Sequence, residues 1–134
     1  MLNRLTDTLE FQGQALALRS ERQRLIASNI ANADTPGYVA RDMDFSQALK
    51  QATSGMSNAS ALAASQPGHL AGNPGVIKES TLNYAMPSQT NLDGNSVDMD
   101  RERACFADNS IKYEATLRFI NSNVRMTLSA ISGQ

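Results

Sequence analysis

The stretch Ala27-Ser28-Asn29-Ile30-Ala31-Asn32-Ala33-Asp34-Thr35-Pro36-Gly37-Tyr38 decides how the chain is built, because a long helical pattern stops inside it. Asn32, Asp34 and Thr35 carry short polar side chains that bond nearby backbone groups and compete with the helix. Pro36 biases Thr35 away from the α region, and Gly37 accepts a positive φ that Tyr38 could adopt only at a cost. Thr35-Pro36-Gly37 is therefore a specified stop and turn, and Tyr38 leaves it as an anchor with an apolar body and a polar tip. An ordinary helix exit needs only a Gly or a Pro. Two asparagines, Asn29 and Asn32, just ahead of a Pro-Gly turn are more than an exit requires.

Upstream, from about Asn3 to Ala33, the residues are helix formers with no Pro and a single Gly, Gly13. A 4-3 spacing runs through Leu2, Leu5, Leu9, Gln12, Leu16, Arg19, Gln23, Ile26 and Ile30, and six of these nine are large and apolar. A second apolar set, Phe11, Ala15, Leu18 and Leu25, points elsewhere, since Leu18 lies about 200° around the helix from Leu16. A helix apolar on two sides has at least two partners. At ~1.5 Å per residue it runs roughly 45 Å, far beyond the ~11–12 residue average helix.

After Tyr38, the segment Val39 to Phe45 reads as extended and can open a short helix through Leu49. Residues 46–96 are a different material. They hold five of the eight Gly, three of the four Pro and only four of the 25 charged residues. Ser54 to Ser65 is a Ser/Ala/Asn/Gly tract that cannot bury much apolar surface. Val76 to Tyr84 has weak strand character, so this irregular middle can hold a small β-hairpin. Asn91-Leu92-Asp93-Gly94-Asn95-Ser96 is a turn, and Ser96 or Asp98 can cap the next helix. From Asp98 to Ser132 a second long helical run follows, with Asp98, Asp100 and Glu102 at the positive end of its dipole. Its 4-3 seam is Met99, Arg103, Phe106, Ser110, Tyr113, Leu117, Ile120, Val124, Thr127 and Ile131, apolar at seven of ten positions. Here too a second stripe appears: Ile111, Ala115, Phe119 and Met126. Gly133 is a helix stop.

The fold expected is mainly α. Long N- and C-terminal helices pair as an antiparallel coiled-coil-like hairpin, with Leu5, Leu9, Leu16, Ile26 and Ile30 facing Phe106, Tyr113, Leu117, Ile120 and Val124. The chain is one subunit of three parts: 1–33 helix, 34–97 connecting segment and irregular middle, 98–134 helix. Aromatic residues are 5% and Trp is absent, which limits the core. The second stripes would be covered only by other molecules, so the subunit is expected to become stable on assembly.

Composition excludes several function classes. A net charge of −1 offers no basic field for nucleic acid or anionic lipid. Arg19, Arg22 and Arg24 beside Glu21 make a mixed-charge surface. Cys105, the single cysteine, allows no internal disulfide and no thiolate metal cluster, and it reads as a small packed side chain. No apolar run of about 18 residues exists to span a membrane. Met1 to Asp7 lacks an apolar signal-peptide segment, so any export is expected to need no cleaved secretory signal. His69, the only histidine, sits in Pro67-Gly68-His69-Leu70 without a nucleophile motif. Around Gly94, alignment to a calcium loop puts Gln89 at the first ligand position and Asp100 at the last, both departures from that pattern. No catalytic, cofactor or metal site is expected, and the chain is read as no enzyme.

The residues Asn29 to Tyr38, continuing through Arg41-Asp42-Met43-Asp44-Phe45, resemble the signature of the bacterial flagellar rod and hook protein family. Near the other end, Asp93 to Glu102, followed by Phe106-Ala107-Asp108-Asn109-Ser110, is similar to its proximal rod members. The resemblance covers about residues 1–45 and 91–132; Ser96 replaces the more usual Asn or Thr. It implies a structural subunit of the basal-body rod, the periplasmic drive shaft around the export channel. It implies export through the flagellar type III apparatus, and partners that include copies of itself, other rod proteins and ring or rod-junction proteins. By carry-over, Asn29, Asn32, Thr35, Pro36, Gly37 and Tyr38 would hold the junction after the first helix. Asp93, Gly94, Asn95, Val97 and Asp98 would form the return into the second. A secreted coiled-coil effector or translocator would share export and paired helices, but should lack the Asn-to-Tyr signature.

Overall fold

Two long helices carry the structure, and the segments that leave the first and enter the second meet at one end. The computed structural model describes residues 2–59, 82–84 and 92–133, with side chains over 5–54 and 92–133. Helix α1 spans Leu2–Ala31 and helix α3 spans Met99–Ser132. They run antiparallel: Gln12 bonds Asn123, Gln23 bonds Ser110, and Asn29 bonds Glu102. Between them come strand β1 (Arg41–Met43), helix α2 (Phe45–Ala59) and strand β2 (Leu82–Tyr84). β1 and β2 pair antiparallel, with Asp42 opposite Asn83. The architecture is mainly α, as the periodicity implied. The two strands are a closure across α2 and not a hairpin within the middle.

Helix α2 extends ten residues beyond the Leu49 limit read from the sequence, to Ala59. Asp44 caps it, its carboxylate accepting the Gln47 N–H and its carbonyl the Ala48 N–H. Phe45, Ala48, Leu49 and Ala52 then repeat at helical spacing and bring one face down on α1. There Leu18, Met43 and Ala48 form the buried cluster, with Leu25, Phe45, Leu49 and Ala52 packed around it. So the stripe Ala15, Leu18 and Leu25, expected to await other molecules, is covered by the same chain. Phe11 stays exposed.

On α3 the burial departs from the 4-3 reading. Its buried residues are Glu102 and Asn109, and Asn123 continues the same seven-residue column against Gln12. The helix is therefore rotated so that a polar column faces α1. Phe106, Leu117 and Val124 are left more than a third exposed, as is Leu5 at the far end of α1. Leu9, Leu16, Ile30, Tyr113 and Ile120 are half-buried, and Ile26 alone of the expected seam is fully covered. The physical reason is that in this facing Asn29 bonds Glu102, and Asn109 Nδ2 bonds the Arg19 carbonyl and Gln23 Oε1, although Asn109 Oδ1 is buried without a hydrogen bond among the described residues. The α3 stripe Ile111, Phe119 and Met126 faces solvent, with the two distal residues 64% and 67% exposed.

Truncating the covered core should cost far more than truncating the bare stripe. Leu18→Ala should lower the unfolding free energy by about 2–5 kcal/mol. Ile111→Ala should stay within about 0.5 kcal/mol, both read by urea denaturation of the purified chain.

Candidate functional site

The end of α1, the β1 strand and the return into α3 meet in one knot of polar bonds. Gly37 and Gly94 make the two turns, with φ of 70° and 74°, and a Cβ on Gly94 would lie 3.7 Å from the Gly37 Cα. Back to back, the turns let residues 37–40 and 93–97 run together. The Gly37 N–H donates to the Asp93 carbonyl at 2.9 Å, the Ser96 N–H to the Tyr38 carbonyl at 3.1 Å, and the Ala40 N–H to Ser96 Oγ at 2.9 Å.

Two buried asparagine amides hold this arrangement. Asn29, 1% exposed, donates through Nδ2 to the Arg41 carbonyl at 2.7 Å and to Glu102 Oε2 at 3.2 Å. Its Oδ1 accepts the Arg41 N–H at 3.0 Å and the Tyr38 hydroxyl at 3.2 Å. Both hydrogens and both lone pairs are used, and the amide treats Arg41 as a neighbouring strand would. Asn95, also 1% exposed, directs Nδ2 at the Asn32, Ala33 and Thr35 carbonyls at 3.0, 2.8 and 2.8 Å. These carbonyls belong to the turn that follows the last helical residue, Ala31. Asn95 Oδ1 accepts the Val97 N–H at 2.8 Å, which fixes the approach to α3. Asp98 is the N-cap, accepting the Asp100 and Arg101 N–H groups. Ser96, the other candidate cap, is taken up by Ala40 instead.

The remaining signature residues support the turn. Asn32 Nδ2 returns to the Ser28 carbonyl at 2.8 Å, its Oδ1 accepts from Thr35 Oγ1, and the Thr35 N–H reaches the Asn32 carbonyl. Tyr38 also lies 3.3 Å from Ser28 Oγ. Pro36 is exposed and Val97 is buried. All eleven junction residues named from the sequence thus gather at one end of the hairpin.

Sequence reasoning missed the acidic floor of this knot. Burial pushes the Glu102 carboxyl above the usual carboxylate range; the Asn29 amide pulls it back, the Asp42 carboxylate adds to the rise, and Arg101 and Arg22 oppose it. Arg22 itself is engaged by Asp42, at 3.3 Å. Arg22, Asp42, Phe45 and Arg101 line an open cleft beside it. The available signal was the spacing of Glu102, Asn109, Thr116 and Asn123, polar residues at every seventh position. Among the described residues, no three His, Cys, Asp or Glu gather where they could hold a metal. No described helix is long and apolar enough to cross a membrane. Cys105 is half-buried on α3, and His69 lies outside the described residues.

Residues 9–38 match the family described as flagella basal body rod protein. The chain is 46% identical to the flagellar basal body rod protein FlgB of Proteus mirabilis strain HI4320 over 134 residues, 98% of each chain. It is 44% identical over 140 residues to the protein of the same name from Salmonella typhimurium LT2, covering 99% of each. The Escherichia coli K12 protein is 45% identical over 137 residues, 100% of this chain and 91% of its own.

Two outcomes test the knot. Asn95→Ala should destabilise the chain by roughly 1–3 kcal/mol, because it strips the amide donor from three carbonyls, read by denaturant unfolding. The folded chain holds the Glu102 proton more readily than the unfolded one, so stability should fall as pH rises from the ordinary carboxylate range through the raised value. Glu102→Gln should flatten that slope in a series of melting temperatures against pH.

Proposed function

The chain belongs to the flagellar basal body rod protein family, and from that premise we propose how its two ends divide the work of building the rod. It is a structural rod subunit and not an enzyme. Membership implies assembly with rod components. Its finer partners are copies of itself, other rod proteins, ring and rod-junction proteins, and the type III export apparatus that delivers it without a cleaved signal. It sits in the periplasmic part of the basal body, where the rod carries torque and surrounds the export channel.

One observation carries this reading: most of the large apolar residues left exposed among those described lie along the two long helices, with Val39 and Leu92 the exposed ones at the knot. Ile111, Phe119, Met126, Leu128 and Ile131 on α3 are largely bare in the single chain, and Leu5 and Phe11 on α1 with Leu117 and Val124 on α3 are partly so. A surface of this kind marks a protein–protein contact. The knot, by contrast, satisfies its polar groups within the chain and serves as the fixed joint. Asn29, Asn32, Thr35, Pro36, Gly37 and Tyr38 hold the joint, Asp93, Gly94, Asn95, Val97 and Asp98 form its return, and the outward part of the α3 seam is kept for neighbours. A helical array of like contacts is a heterologous, open assembly. The core of seven buried apolar residues among those described is small enough to suit a subunit passed unfolded through a narrow channel.

The test is complementation of a strain lacking the gene for this chain, read by swimming and by negative-stain images of basal bodies. The wild-type chain should restore rods; intact rods in the deletion strain would overturn the reading. Gly37→Val places a β-branched residue at a φ of 70° with no neighbour within 4 Å to clash, so its cost is backbone strain, about 1–3 kcal/mol. It should abolish swimming by misdirecting residues 38–43, while a fully motile variant with normal rods would show that the turn geometry is dispensable.

A further inference from the structure

We propose that neighbouring copies of this chain sit side by side at nearly one height, the outer edge of α1 in one copy against the outer edge of α3 in the next, with Glu10 facing Arg125. The proposal rests on the reading that the subunit assembles with its own copies, and it names the contact and the register.

In the distal halves of the helices, Asn123 Nδ2 donates to Gln12 Oε1 at 3.1 Å. Gln12 and Asn123 are therefore level with each other and point inward. Glu10 precedes Gln12 by two residues and Arg125 follows Asn123 by two, so each lies about 200° around its helix, on the edge turned away from the partner helix. Because the helices are antiparallel, both residues are displaced toward the open end, and by the same ~3 Å. Glu10 and Arg125 thus stand at one height on opposite edges of the hairpin. A second copy placed alongside, with an axial rise small enough for these long side chains to span, brings the Glu10 edge against the Arg125 edge.

The surrounding charges agree. Among the described residues, α1 has no Lys or Arg from Leu5 to Leu18, and Asp7 adds a second carboxylate one turn beyond Glu10. From Ala115 to Ser132 α3 has no Asp or Glu; Arg118 is engaged by Glu114 within the helix, while Arg125 makes no ion pair among the described residues. Asp7, Glu10 and Arg125 are all exposed. The single chain therefore has an acidic edge and a basic edge at its open end. Two copies related by a two-fold axis would set like charges together, whereas a repeating side-by-side contact sets unlike charges together at every step. Leu128, exposed one turn beyond Arg125, and Phe11, exposed next to Glu10, supply apolar area near the edges that meet. An exposed ion pair adds little affinity. What it contributes is the choice of register and of neighbour.

Complementation of the deletion strain with Glu10→Lys, Arg125→Glu and the double variant decides the matter. Purified single variants should keep wild-type helix content and melting, since both positions are exposed. Each single variant should lose swimming and rods, the double should regain both, and co-expressing the two singles should regain them in part. Asp7→Lys, on the same edge, should behave as Glu10→Lys does. Singles that swim as wild type does would overturn the contact. A double variant no better than the worse single would show that the edges meet other proteins and not copies. Failure of the wild-type chain to restore rods would instead overturn the rod reading itself.

Discussion

The structure depends on two amide side chains that replace backbone partners where the chain turns. A helix end leaves carbonyls without donors, and a strand as short as β1 leaves its own groups half-paired. Asn95 takes three carbonyls in the turn just after α1, and Asn29 takes both backbone groups of Arg41. Each amide comes from a segment distant from its targets: Asn95 lies beyond the middle of the chain, and Asn29 lies a turn before the helix stops. Leucine at either position would fill the space and leave buried carbonyls without donors, which costs more than a net hydrogen bond gains. That asymmetry makes the joint all-or-none. Backbone bonds between residues 37–40 and 93–96 share in holding the crossing of α1 with the return into α3.

With the joint fixed, the hairpin can be built in an unusual sense. On α3 the buried residues are a glutamate and an asparagine, while Phe119, Met126 and Ile131 face solvent. In a protein designed to stand alone this would be inverted. Here the polar contacts between α1 and α3 set alignment, because hydrogen bonds are satisfied at one register and lost at the next. The apolar surface, which is indifferent to register and strong in area, is left to the outside. Alignment within the chain and adhesion between chains are thereby assigned to different kinds of interaction.

Much of this was legible in the sequence. Thr35-Pro36-Gly37 and Asp93-Gly94-Asn95 announced two turns through residue types whose backbone preferences are local, and the structure places positive φ at Gly37 and Gly94. The two long helices were equally plain, since a 3.6-residue pattern over thirty residues has few other readings. The facing of α3 was not. Adjacent columns of one helix differ by some 100° or less, and the apolar column at Leu117 and Val124 outweighed the polar one at Asn109 and Asn123. Only the three-dimensional partners Arg19, Gln23 and Gln12 decide between them. Helix α2 was underread for a similar reason: Phe45, Ala48, Leu49 and Ala52 carry its apolar face, but the Ser/Ala/Gly tract after them suggested irregular chain.

The separation of a satisfied joint from a bare shaft also explains why the large exposed residues need not make the free subunit indiscriminate. An apolar surface alone would accept any partner of suitable shape. On the shaft, Asp7 and Glu10 flank one apolar edge and Arg125 the other, and they stand at heights fixed by the Gln12–Asn123 bond. Slippage of α1 against α3 by one turn would displace one edge from the other by about 5 Å and set the charges out of line. The polar seam within a chain therefore controls the charge register between chains, and the joint at Asn29 and Asn95 anchors that seam. Specificity in such an assembly would be transmitted outward from two buried amides, through helix alignment, to the surface on which the next subunit lands.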